Sequence, residues 1–70
     1  MAELKVFHDR DGATLTVWFA DSSDEVICEE TGDEVILMKN KNGQVIGFEK
    51  LNFVTHDREL LKVAIESVPA

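Results

Sequence analysis

The tripeptide His-Asp-Arg occurs twice in this 70-residue sequence, as His8-Asp9-Arg10 and His56-Asp57-Arg58, and gathers the side chains best suited to chemistry. A nucleophile relay or a metal site needs imidazole and carboxylate groups that converge in space. Adjacent copies would bring His8 and His56 together with Asp9 and Asp57, four nitrogen and oxygen ligands. Each histidine is the chain neighbour of its aspartate, however, and neighbours on a strand point to opposite faces. Asp9 as a turn former and Asp57 as a helix cap account for both carboxylates without a metal. Asp9-x-Asp11-Gly12 and Asn40-x-Asn42-Gly43 repeat the alternating oxygens of a calcium loop but lack its third ligand and distal glutamate, so both read as hairpin turns.

Gly47 and Glu49 are two apart and share a strand face. A glycine inside a strand leaves a notch for a ligand, another backbone or a crossing aromatic such as Trp18. Glu49 is expected to pair with Lys39 or Lys50 rather than to act as an acid. Cys28, flanked by Glu29 and Glu30, reads as a small buried hydrophobe, because the adjacent carboxylates disfavour its thiolate. No Ser-His-Asp order, glycine-rich phosphate loop or CxxC pair is present. The expectation is a non-enzyme without catalytic residues, metal or cofactor.

These residues are positioned by period-two alternation over the first fifty positions, broken by turn chemistry at short intervals. Strands are expected at about 3–8, 13–19, 25–31, 34–39 and 44–52, with Asp9-Arg10-Asp11-Gly12, Gly32-Asp33 and Asn40-Lys41-Asn42-Gly43 as turns. Gly12 is the residue that tolerates positive φ in the first of these. Strand two points Leu15, Val17 and Phe19 one way and Thr14, Thr16 and Trp18 the other. After Thr55 the period becomes 3.6, with Leu60, Leu61, Ala64, Ile65 and Val68 on one stripe and Arg58, Glu59, Lys62 and Glu66 opposite. A helix over 57–68 follows, capped by Thr55 or Asp57 and stopped at Pro69. The expected fold is α+β, one domain over 1–70: an antiparallel β-meander of about five strands with a C-terminal amphipathic helix across one face.

One helix covers one face only. Trp18, Ile36, Met38, Ile46 and Phe48 are assigned to the uncovered one, an apolar patch of the kind that marks an interface, here with a second copy.

Fourteen acidic residues against seven basic ones give a net charge of −7. Such a surface repels phosphate backbones and anionic lipid, which argues against nucleic-acid and membrane partners. Asp21, Asp24, Glu25, Glu29, Glu30, Asp33 and Glu34 concentrate half of the negative charge on one hairpin. That segment is either a solvated edge or an acidic docking face for a basic protein. A single cysteine, no signal-like leader and no long apolar run point to a cytoplasmic protein without a membrane span.

The stretch from His8 to Val17, followed by Asn42-Gly43-Gln44-Val45-Ile46-Gly47-Phe48-Glu49-Lys50-Leu51, resembles the bacterial family called domain of unknown function 2283. Asp9, Leu15, Gly43, Val45, Gly47, Glu49 and Leu51 match its pattern. His8 and Thr16 replace tyrosines, Ala13 replaces an aspartate, and Lys50 replaces an apolar residue. The resemblance implies a compact β-meander with no established activity, and similar proteins are suspected of working beside small toxin-like partners. The functional expectation is a non-catalytic interaction module, homodimeric through the uncovered face. The alternatives are an antitoxin-like partner of a small basic protein, and a ligand- or metal-binding protein or enzyme with a site at a dimer seam built from His8, Asp9, Glu49 or His56.

Overall fold

The computed structural model describes residues 3–55 and 61–69. Five strands form, β1 Lys5–Asp9, β2 Thr14–Trp18, β3 Ile27–Glu30, β4 Val35–Lys39 and β5 Val45–Lys50. They make one antiparallel sheet in the order β1-β2-β5-β4-β3. A hairpin (β1–β2) and a three-strand meander (β3–β4–β5) are therefore joined by docking the last strand against β2. This puts β5 at the centre and leaves β1 and β3 as edges. The long β2–β3 connection carries a short 3₁₀ turn, Ser22–Asp24, capped by Asp21, whose carboxylate accepts the Ser23 N–H at 2.9 Å and its hydroxyl at 2.8 Å.

The turns follow local chemistry, with one exchange of roles. Asp9 accepts the Gly12 N–H at 2.9 Å, and a Cβ on Gly12 would lie 2.7 Å from that carboxylate. The left-handed residue of this turn is nevertheless Ala13, at φ 54°. Gly12 thus lets the Asp9 carboxylate approach closely, and alanine bears the backbone strain. In the β4–β5 turn the Asn40 side chain accepts the N–H groups of Asn42 and Gln44, both at 3.0 Å, while Gly43 takes φ 78°.

The fold is all-β among the described residues, not α+β. The helix expected over 57–68 is absent from residues 61–69, which have no regular secondary structure, and 56–60 lie outside the described residues. Within its stripe Ile65 is exposed to 77% and Val68 to 89%. A helix of three turns is marginal without a surface to pack on, and β-branched Val63, Ile65 and Val68 lower its intrinsic propensity. The 3.6 period is present in the sequence, but the tertiary contact that would stabilise it is not made.

A single sheet with no covering layer buries little. Among the described residues only Val17, Met38 and Ile46 form a buried apolar core, and no side chain is fully enclosed.

Candidate functional site

Residues directly opposite across a ladder share a face, so the register sorts the sheet into two sides. Val6, Val17, Phe48, Leu37 and Glu29 form one row through all five strands; His8, Leu15, Lys50 and Val35 run beside it. On this side, the Val17 face, the Phe19 ring lies 6.0 Å from that of Phe48. The other side, the Trp18 face, carries the rows Lys5–Trp18–Gly47–Met38–Cys28 and Phe7–Thr16–Glu49–Ile36–Glu30.

The expected interface set is divided by this register. Trp18, Ile36 and Met38 lie on the Trp18 face, whereas Phe48, opposite Val17 and Leu37, and Ile46, two residues before it, belong to the Val17 face. The cause is a bulge at the start of β5. Lys39 faces Val45 but Met38 faces Gly47, so Ile46 is an extra residue. A regular hairpin continued from Lys39–Val45 would place Met38 opposite Ile46 and Ile36 opposite Phe48, the grouping assigned from the sequence. One inserted residue switches every later side chain of β5 to the other face.

The Val17 face is largely apolar and much of it is open: Val6 is 37% exposed, Phe19 49%, Val45 44% and Ile27 48%. Its charges are matched in place. Lys39 pairs with Glu29, and Lys50 lies 3.3 Å from Glu34. On the Trp18 face the indole packs against Gly47, where a Cβ would lie 2.8 Å from the ring and 2.7 Å from the Val17 carbonyl oxygen. The notch expected at Gly47 is filled by the crossing aromatic. Beside it Glu49, half-buried on the central strand, accepts the Thr16 hydroxyl at 3.3 Å. The expected ion pair with Lys39 or Lys50 does not form, because both lysines are on the opposite face.

The acidic hairpin is not uniformly free. Glu29 and Glu34 are the partners of Lys39 and Lys50, and Asp21 caps the 3₁₀ turn. Hydrogen bonds from Ser23 hold the Asp21 carboxyl below its usual range, and the Asn52 side chain, followed by Lys50, lowers Glu34. Asp24 stands in the first turn of that helix, and Asp33 in the β3–β4 turn, both exposed. Glu25 accepts a hydrogen bond from the Cys28 thiol at 2.6 Å, which, ahead of desolvation, pushes that thiol up. Cys28 is exposed on edge strand β3, a correction to its expected burial.

His8 and Asp9 fall on opposite faces. The His8 ring meets Phe53 edge-on at 5.4 Å and helps to line an open cavity of about 340 Å³ with Arg10, Asp11, Ala13, Val54 and Thr55. His56 and Asp57 lie outside the described residues. Among the described residues no group of three His, Cys, Asp or Glu side chains is placed to hold a metal, and no helix is long and apolar enough to cross a membrane. The mis-phased half of the interface was beyond sequence reasoning because a bulge has no compositional mark. The signal that was available is the apolar alternation through Val6, which the expected interface omitted.

No curated protein and no solved structure matches the chain significantly. The family model described as protein of unknown function (DUF2283) matches residues 5–53, the span from β1 through β5 to Phe53 that builds both faces and includes Gly47 and Glu49. The chain belongs to the DUF2283 family.

Proposed function

We propose that this protein is a non-catalytic interaction module that pairs with a second copy of itself through the Val17 face. The observation that carries this reading is the open apolar area of this face, where Val6, Phe19, Val45 and Ile27 are each more than a third exposed. The chain presents 5837 Å² of surface. A compact chain of 7.9 kDa is expected to present about 4,400 Å². Part of that excess belongs to the largely exposed segment 61–69, and a standard interface removes about 800 Å² per partner. Face-to-face packing of two such sheets gives a sandwich, the usual way for a one-layer sheet to bury its apolar side.

Self-pairing must overcome a net charge of −7 on each copy. The Val17 face suits it because Lys39–Glu29 and Lys50–Glu34 cancel locally. On the Trp18 face a second copy would set Glu49 and Glu30 against their counterparts. Sedimentation equilibrium tests the reading: the expected mass is twice 7.9 kDa, Phe19→Glu returns it to the monomer value, and Phe7→Glu on the opposite face leaves the dimer intact. A wild-type monomer persisting at millimolar concentration overturns it, as does dissociation by Phe7→Glu and not by Phe19→Glu.

A further inference from the structure

We propose that the Trp18 face docks a guanidinium-bearing segment of a basic partner protein, with Glu49 as the anion that pairs with it and Trp18 as the plane on which it stacks. Glu49 is unusual for its position. It stands on the central strand β5, between Thr16 and Ile36 and diagonal to Trp18 and Met38. Its one hydrogen bond among the described residues is from a neutral hydroxyl, and it takes part in no ion pair there. The sheet's lysines are otherwise engaged: Lys39 and Lys50 on the far face, and Lys5, the one described cation among the strand residues of the Trp18 face, 3.8 Å from Glu3.

The platform beside this carboxylate is built by the backbone. With no Cβ at Gly47, the indole packs against β5, and Phe7, opposite Thr16, is 57% exposed on the other flank. A carboxylate diagonal to an indole, with a second exposed ring beyond Thr16, attracts a cation through both charge and ring quadrupole. Guanidinium fits better than ammonium, because it is planar, weakly hydrated and able to engage a carboxylate with two N–H donors while stacking. Glu30, exposed in the same row as Glu49, offers a second anion two strands away for a second basic residue. Long-range attraction comes from residues 21–34, where seven acids stand without Lys or Arg, and the Trp18 face turns that steering into a defined contact. This surface is separate from the dimer face, so either reading stands or fails without the other.

Titration of the full chain with an acetylated, amidated Val-Arg-Val-Arg-Val peptide tests this, read by amide NMR shifts and by the fluorescence of Trp18, the single tryptophan. Saturable shifts at Phe7, Thr16, Trp18, Gly47 and Glu49 are expected, with weaker binding of the lysine analogue and none of the glutamate analogue. Glu49→Gln is expected to weaken binding about tenfold, and an Asp24→Asn/Asp33→Asn variant less than about twofold at physiological salt. Phe7→Ala, at an exposed position, gives an independent loss of about threefold through the aromatic flank. Phe19→Glu leaves peptide binding unchanged whether or not it dissociates a dimer. Shifts confined to residues 21–34, equal loss in the hairpin variant, unchanged affinity in folded Glu49→Gln, or no binding at millimolar peptide each overturn the proposal.

Discussion

The two faces of this sheet are made from the same five strands and solve opposite problems. The Val17 face is a broad apolar field whose charges are cancelled in place, and it stays open. The Trp18 face is smaller in its apolar content, with one indole laid over one glycine and buried Met38 beside it, and it holds a carboxylate that no described lysine answers. Apolar area alone would rank the first as the functional side. Local completeness separates them differently: one face lacks a layer, the other lacks a counter-charge.

The sharpest way to break this contrast is at Gly47. Gly47→Ala sets a methyl group 2.7 Å from a backbone oxygen and 2.8 Å from the Trp18 ring, a conflict with the β2 main chain that a side-chain rotation cannot relieve. A loss of about 2–3 kcal/mol in urea-melt stability is expected, with a red shift of Trp18 emission as the ring leaves the sheet. An unshifted emission maximum would mean that the ring is not held there.

Glu49→Ile removes the distinction from the other side by making the Trp18 face apolar across the central strand. The gain in monomer stability is expected to be about 1 kcal/mol, accompanied by assembly beyond the dimer at high concentration, since both faces could then stack. Light scattering that stays at the wild-type value would show that the carboxylate is not what keeps this side free.

Much of this was legible in the residues. Alternation located the strands, Asn40 and Gly43 announced the β4–β5 turn, and the facing of Leu15, Val17 and Phe19 against Trp18 follows from period two alone. Four things were not legible. The helix was inferred from a pattern whose contact surface is not engaged. The partition of β5 depended on one bulged residue, and the strand order depended on β5 docking against β2, a non-local choice. The fourth case is Ala13: chemistry pointed to Gly12 as the left-handed residue, whereas Gly12 is committed to Asp9 and the strain moves one position on.

That displacement gives a smaller test. Ala13→Asn, a residue tolerant of the left-handed region, is expected to raise stability by about 0.5–1 kcal/mol without altering either face. A decrease would show that Ala13 does not hold a positive φ. The smallest effect concerns acid. Asp21 and Glu34 have carboxyl groups lowered by their partners in the folded chain, so their stabilising contribution is full above the ordinary carboxylate range and is lost as pH falls through the lowered values. Glu34→Gln is expected to flatten the stability profile below about pH 4.5 and leave it nearly parallel to wild type at neutral pH. An unchanged acid limb would remove Glu34 from the matched charges of the Val17 face.

The bulge at the start of β5 also has an evolutionary meaning. Deleting Ile46 would remove the extra residue and leave Gly47 opposite Met38, Phe48 opposite Leu37 and Glu49 opposite Ile36. Keeping Ile46 and losing the bulge would instead slide β5 one place along β4, set Phe48 beside Ile36 and carry Glu49 to the side of Leu37. In a lineage of such chains, one that is a residue shorter here and lacks the bulge would display the same two sides, and an alignment that opens its gap at Ile46 keeps every later side chain on its own side.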